Sequence, residues 1–567
     1  MTGGAAPGRP PTGRPSPVKR YAPLIAIVTV VAIAIGVALA VNGGGSADSP
    51  LAARHAASKG PLTFAEAKAA GRADSIDWGP HCDTTVGRVK LPTIYAPPCV
   101  EPFTGDNGGT TSPGVTADTI TVAVYQPAAD DIASSLIKGA GVDDNDAEVA
   151  ATRQGLVDVF ASVTETYGRK VKLVTVKASG AGNDDTAARA DAIRVATDVK
   201  PFIALGGPAQ SSAYGEELVS RGIICLGGCP GPVNDRFVRE HAPFVWTTGA
   251  GQAGTDNQSE WLAKRVAGRK ASFAGSADIR KQTRRFALVN YDTPEGDFKE
   301  SVAYFRAQLA KHGVKLSANV TYFLDTNKFQ ESARTMIAKL RAAKVTTVIF
   351  AGDPLTPIYL TKEATAQGWF PEWIPTGTLL DDTNFFARQY DKQQWSHAFG
   401  AVSGPVRVPQ AAFDGYAIWE WAYGEPPPAT ATAVLIAGAV QQIMVGVELA
   451  GPDLGPETFR DGLFRFPPTG GGPTQPRVSW GYHGSKVADY SPFDDATEIW
   501  FDETATGKDE VGIPGSGLYR WSDGGKRYRP GEWPDTPTDA FRMAGSVTEF
   551  TTRPPEDRAP EYPPPTR

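Results

Sequence analysis

The sequence predicts an α/β protein built as two doubly wound lobes with parallel-rich sheets, preceded by one transmembrane helix. Three observations predict it. Apolar strands alternate with amphipathic helices from residue 119 onward. The strands are short and continuously apolar, as strands buried on both faces are. The alternation runs through once and then restarts at Phe286. Strands separated by helices in this way form βαβ units, which require a parallel sheet.

Residues 1–20 are rich in Gly, Ala, Ser and Pro and read as a polar cytoplasmic tail. From Tyr21 to Val41 no charged residue occurs, and "APLIAIVTVVAIAIGVALAV" matches the roughly 20 residues needed to cross a bilayer. Arg9, Arg14, Lys19 and Arg20 precede it, so the positive-inside rule places the bulk of the chain outside the cytoplasm. The main domain is then extracytoplasmic on a single-pass anchor, or secreted if Ala38-Leu39-Ala40 is cut as a signal-peptide site. No cysteine directly follows the apolar run, which argues against a lipoprotein-type attachment.

Residues 42–116 form a linker and then a small stapled extension: a short helix in "TFAEAKAAGRA", a loop between Cys82 and Cys99, and "GDNGGTTSPG". The four cysteines fall in two near pairs, Cys82 with Cys99 and Cys225 with Cys229. In an oxidising compartment both are expected as disulfides, the alternative being four free thiols. Zinc is disfavoured, because the six histidines show no ligand spacing near either pair.

The first lobe is assigned to 117–250 and 410–505. Strands are expected at "TITVAV", "VKLVTV", "FIALGG" and "IICLGG", with helices over "EVAATRQGLVDVFASVTETYG", "DDTAARADAIRVATD" and "SAYGEELVSRG" between them. The second lobe is assigned to 251–409. It opens with the helix "DNQSEWLAKRVAG" and the strand Phe286–Val289, whose following helix should bury Phe298, Val302, Phe305 and Leu309 before His312 and Gly313 close it. "KFQESARTMIAKLRAAK", "VTTVIFAG" and "PIYLTKEATAQG" continue the pattern. "FDGYAIWEWAY" and "TAVLIAGAVQQIMVGVELA" are helices that return to the first lobe, the latter a core helix because Gln441, Gln442 and Glu448 interrupt it. "EIWFD" at 498–502 is expected at a sheet edge, and 506–567 as a Pro-rich extension ending in an extended, disordered "RPPEDRAPEYPPPTR".

Chain polarity puts the loops after these strands at the carboxyl edge of each sheet, where open parallel sheets bind ligands. A net charge of -6, from 56 Lys plus Arg against 62 Asp plus Glu, gives no basic field and excludes nucleic acid as a partner. "DDND" at 143–146 lacks the spaced ligands and glycine of a calcium loop. No Gly-x-Ser-x-Gly elbow, His-Glu-x-x-His pair or phosphate-cradling loop occurs, so the reading is a binding protein, not an enzyme, with no cofactor and no metal.

The ordered set of these stretches resembles the type I periplasmic substrate-binding proteins, above all the branched-chain amino acid and amide receptors of ABC transporters. The resemblance spans 117–505 and is carried by "FALVNYDTPEGDFKESVAYFRAQLAKHGVKL", "DTNKFQESARTMIAKLRAAKVTTVIFAGDP", "EATAQGW", "ALGGPAQSSAYGEELVSRGIICLGG" and "FDGYAIWEWAY". It implies two lobes joined by hinge strands, a small polar ligand between them, closure on binding, and an ABC permease as partner. The alternative is a membrane-anchored sensing or scaffold module without a transporter. Carried over residue by residue, the resemblance implies ligand contacts at Tyr125 and at Ser211 and Ser212 near a helix N-terminus on the first lobe. On the second lobe it implies Asp292 and Asp353 as partners for an ammonium, and Thr378 where relatives place an acidic turn, with Asp381 or Asp382 reaching in. "DTPEG", with Pro294, stands where relatives commonly have a tyrosine, and "CLGGC" stands where a hydroxyl-bearing loop is usual.

Overall fold

Thr63 and Glu66 form a reciprocal capping box, Thr63 Oγ1 accepting from Glu66 N–H and Glu66 Oε2 from Thr63 N–H, and so start helix α1 (Phe64–Ala69). Behind it β1 (Cys82–Asp83) pairs antiparallel with β2 (Arg88–Val89), and the Cys82–Cys99 disulfide closes the loop beneath Phe64, Ala67 and Trp78. The structure is a computed structural model. It describes residues 60–128 and 144–565 apart from 232, 294–295, 326–327, 484–485 and 511. The predicted tail and transmembrane segment, and Pro294, lie outside the described residues.

The first sheet is parallel. β3 (Thr119–Gln126) lies between β4 (Lys170–Lys177) and β5 (Ile203–Leu205), and β6 (Ile224–Leu226) follows β5, giving the order β4-β3-β5-β6. A parallel bridge from Cys225 to Val245 adds one more segment beyond β6. The crossovers are α2 (Asp146–Val163), α3 (Asp185–Arg194) and α4 (Ala213–Ser220), which bury Leu156, Phe160, Ala192 and Leu218 against the sheet. Asn145 caps α2, while Asp144 accepts from Ala431 and Thr432, so this part of the acidic run serves helix ends.

After α5 (Gly251–Trp261) the second sheet repeats the plan. β7 (Phe286–Asp292), followed by α6 (Lys299–Lys311), pairs with β8 (Leu316–Phe323) on one side; beyond α7 (Phe329–Ala342), β9 (Thr347–Ala351) pairs with β7 on the other; and beyond α8 (Thr356–Ala366), β10 (Glu372–Pro375) pairs with β9. The order β10-β9-β7-β8 is the order of the first sheet in its own strand numbers. Helix α6 begins at Lys299, one residue later than the spacing predicts. Phe305 and Leu309 are buried as expected, with Tyr304 beside them, whereas Phe298 and Val302 are half-buried. The aromatic at 304 turns the buried stripe by one residue.

The chain then returns to the first lobe as α9 (Asp414–Tyr423), α10 (Ala433–Ala450) and α11 (Pro456–Arg465). α10 is long and apolar enough to cross a membrane, but most of it is buried against the first-lobe core. Two expectations are corrected beyond it. β11 (Phe399–Val402) pairs antiparallel with β12 (Ala496–Lys508), which pairs in turn with β13 (Pro514–Trp521) and β14 (Arg527–Tyr528). So "EIWFD" is an interior strand of a second-lobe sheet, not an edge and not part of the first lobe. Its run Ala496–Asp502 is buried, because both faces are covered. Nor are residues 506–567 a loose extension: Trp533, Ala540 and Asp557 are buried, and the described tail packs along the body. The chain therefore passes between the lobes three times, near 250, 403–413 and 491–496.

Candidate functional site

In a doubly wound sheet the crevice opens where successive crossovers turn to opposite sides, at the carboxyl ends of the two adjoining strands. Here these ends are β3 with β5, reaching Tyr125 and Gly206, and β7 with β9, reaching Asp292 and Asp353. The two edges meet at a rim. Arg236, in the helical turn Asp235–Glu240 after β6, pairs with Glu300 at the start of α6 at 2.7 Å. Arg239 donates to Gln252 at 3.4 Å beside it. The carboxyl edge of one sheet thus borders that of the other.

On the first lobe Tyr125 is buried, its ring 5.0 Å from that of Tyr214. Ser211 is buried and its hydroxyl donates to Asp185 at 2.6 Å, while its oxygen accepts from Ala213 N–H. Ser212 occupies the N-cap of α4 without capping through its side chain, and its hydroxyl donates to Glu216 at 3.1 Å. The Cys225–Cys229 disulfide holds the adjoining turn, with Cα atoms 5.2 Å apart. That turn is close-packed: Gly231 has φ +63°, and a Cβ there would fall 2.3 Å from Ser211 O.

On the second lobe the predicted acids serve the backbone. Asp292 Oδ1 accepts from Thr293 and Phe298 N–H at 2.9 and 3.0 Å, closing the loop into α6. Asp353 Oδ1 accepts from Leu355 and Thr356 N–H, both at 2.8 Å, and Oδ2 from the hydroxyls of Tyr322 and Thr356 at 2.5 and 2.6 Å. Four donors from the chain itself occupy this fully buried carboxylate. Thr378 exchanges a hydrogen bond with Thr376 at 2.7 Å. Asp381 is buried and accepts from Thr376 N–H, leaving Oδ1 without a partner; burial, then the neighbouring Asp382, push its carboxyl well above the usual range. Burial also pushes Asp382 up to about 6.

The structure therefore brings Tyr125, Ser211 and Ser212 to one carboxyl edge and Asp292, Asp353 and Thr378 to the other. Sequence reasoning missed the groups between them. Asp235 is buried at the rim with Oδ2 unpartnered, its carboxyl raised by burial and by Asp489 and Asp256, with Arg239 opposing. Asp489, near the third crossing, is pushed up to about 6 by burial. No spacing in the sequence joins residues 235, 256 and 489; only the fold does. Tyr322 could have been found, since the alternation of β8 points residues 320 and 322 inward. Among the described residues no set of three metal-ligating side chains converges. The polar groups at these edges are hydroxyls, backbone amides and carboxyls whose titration burial raises.

No protein-family model and no curated protein matches the chain. It is similar to solved structures of transport receptors. The leucine-, isoleucine-, valine-, threonine- and alanine-binding protein from Brucella ovis, in a closed conformation, is 12% identical, with 77% of this chain and 100% of that one covered and a TM-score of 0.49. The branched-chain amino acid transporter substrate-binding protein LivJ from Streptococcus pneumoniae, in complex with isoleucine, is 13% identical over 73% of this chain and 100% of its own, TM-score 0.45. An ABC transporter solute-binding protein from R. palustris in complex with 4-hydroxybenzoate is 12% identical over 74% and 98%, TM-score 0.47. At these values the likeness carries no argument about ligand, partner or activity.

Proposed function

We propose that the chain is an extracytoplasmic solute-binding protein of the type I periplasmic class, which encloses a small polar molecule between its two lobes and hands it to an ABC permease. One observation carries this reading. Two sheets of identical strand order border each other at their carboxyl edges, across a rim spanned by Arg236 and Glu300 and joined by three crossings of the chain. A ligand touching both edges favours the approach of the lobes by its differential contacts with the closed form. Anchoring by the apolar segment at 21–41 would hold the receptor at the membrane on the permease side.

The committed state of Asp292 and Asp353 bears on the ligand. Both oxygens of Asp353 are occupied by backbone and hydroxyl donors, so an ammonium finds no waiting carboxylate at the β9 edge, whereas at the β7 edge only Oδ1 of Asp292 is so occupied. Amides and other uncharged polar solutes fit the β9 edge better than zwitterionic amino acids. A thermal-shift screen of the ectodomain against amides, organic acids, amino acids and sugars tests the proposal. A ligand present at 100 times its Kd should stabilise the protein by about 2.7 kcal/mol. No shift with any class would overturn the binding role, and a shift with amino acids alone would overturn the ligand preference.

A further inference from the structure

The C-terminal segment crosses from one lobe to the other and is fastened on both. On the second lobe Val547 exchanges two backbone hydrogen bonds with Trp521 of β13, at 2.8 and 3.1 Å, and Phe550 packs on the core while its N–H donates to Arg407 O at 2.9 Å. Three residues later the chain is tied to the other side. Arg553 donates to Asp414 Oδ1 and to Ala412 O, both at 2.7 Å, and to Thr474 O at 3.2 Å. Asp557 accepts from Thr474 N–H and Oγ1 at 2.6 and 2.8 Å. Tyr562 O accepts from Trp421 Nε1 at 2.8 Å, and its hydroxyl donates to Asp83 in the stapled N-terminal module at 3.0 Å.

Asp414 gathers these parts. It is the first residue of α9 in the first lobe, and besides Arg553 it accepts from Thr93 of the stapled module and from Gln475 at 3.0 Å. The crossings themselves are braced nearby. Arg527 of β14, with 1% of its side chain exposed, donates to Asp495 in the third crossing and to Ser403 O and Gly404 O in the second.

We propose that residues 547–562 are a strap that fixes the angle between the lobes, with Asp414 as its clasp. Its role as a regulator of closure rests on the two-lobed binding reading above. The constraint is one of length. Only Thr551 and Thr552 separate the second-lobe anchor at Phe550 from the first-lobe anchor at Arg553, and three peptide links reach at most about 11 Å. A rotation that moves the anchors beyond that reach must break the Arg553 cluster or lift Phe550 from its core. The strap therefore narrows the range of lobe angles, and its release widens it.

Distances between spin labels test this in the absence of ligand. All four cysteines are in disulfides, so engineered cysteines at the exposed positions Lys172 in the first lobe and Glu331 in the second are labelled alone. The full chain should give one narrow distance. A chain ending at Phe550, and separately Arg553→Gln, should give a broader distribution with a second, shifted distance. Distributions that superimpose on the wild type would overturn the strap. If the shortened chain does not fold, Arg553→Gln alone decides in the same way. A ligand screen without hits would end the binding proposal and leave these distances standing, whereas unchanged distances would end the strap and leave the binding proposal standing.

Discussion

Asp353→Ala distinguishes a carboxylate that builds the second lobe from one that awaits a ligand. In the structure it satisfies the N–H groups of Leu355 and Thr356 at the entry to α8 and accepts from the buried hydroxyls of Tyr322 and Thr356. Losing a helix-entry acceptor costs about 0.5–2 kcal/mol. Orphaning a buried hydroxyl adds about 1–3 kcal/mol, and Tyr322 is that hydroxyl here. The substitution should therefore destabilise by roughly 1.5–5 kcal/mol. Asp353→Asn keeps one carbonyl oxygen for the two N–H groups but cannot accept from both hydroxyls, so it should cost only the second part, about 1–3 kcal/mol. Tyr322→Phe made in the Asp353→Ala background should cost less than in the wild type, because the pair has already been broken. Urea unfolding followed by tryptophan fluorescence measures the wild type and the four variants, with Trp373 and Trp395 in the second-lobe core as reporters. The shift of midpoint at unchanged slope is the stability change. An Asp353→Ala protein within about 0.5 kcal/mol of wild type would refute the reasoning, above all if it had lost affinity for a ligand found in the screen.

Two further outcomes follow from the same structure. Replacing Cys82 and Cys99 together by Ala removes a cross-link of sequence separation 17, a loop for which chain entropy is worth about 3 kcal/mol; residues 60–115 should become sensitive to limited proteolysis while the lobes stay resistant, and equal resistance throughout would show that packing alone holds the module. Asp494, near the third crossing, is pushed up to about 7, first by burial. The folded form then holds its proton after the unfolded chain has lost it, so stability falls as pH rises from the ordinary aspartate range through about 7 and levels off above. Asp494→Asn should flatten that fall between pH 5 and pH 8 in urea midpoints, and parallel curves for variant and wild type would refute it.

The alternation of strands and helices was legible in the sequence for a reason of scale. A strand such as Phe286–Asp292 and a helix such as Phe329–Ala342 each carry their periodicity over many residues, so no single substitution hides them. Site chemistry lacks that redundancy. An aspartate after a strand caps the next helix or holds a ligand with the same residue letter, and at Asp353 the difference lies in Tyr322, thirty-one positions earlier. A local signal did exist: Asp353 stands two and three residues before the N–H groups it accepts from, with Pro357 in the first turn of α8, which is the pattern of a helix entry.

The C-terminal segment failed for the opposite reason. Its composition, with prolines at 554, 555, 560 and 563–565, averages to that of a chain that cannot bury a core. Yet attachment does not need an average. Arg553, Asp557 and Tyr562 fall at intervals of four and five, each meeting a partner more than seventy residues away in sequence. Prolines between such anchors reduce the freedom of the unfastened chain and so reduce the entropy that fastening must overcome. The same residues that make a segment read as disordered make it a stiff strap once three side chains hold it, and a stiff strap transmits a change in lobe angle to Asp414 where a flexible one would absorb it. In the binding role proposed above, control of closure would then lie outside the crevice, at Arg553, Asp557 and Asp414.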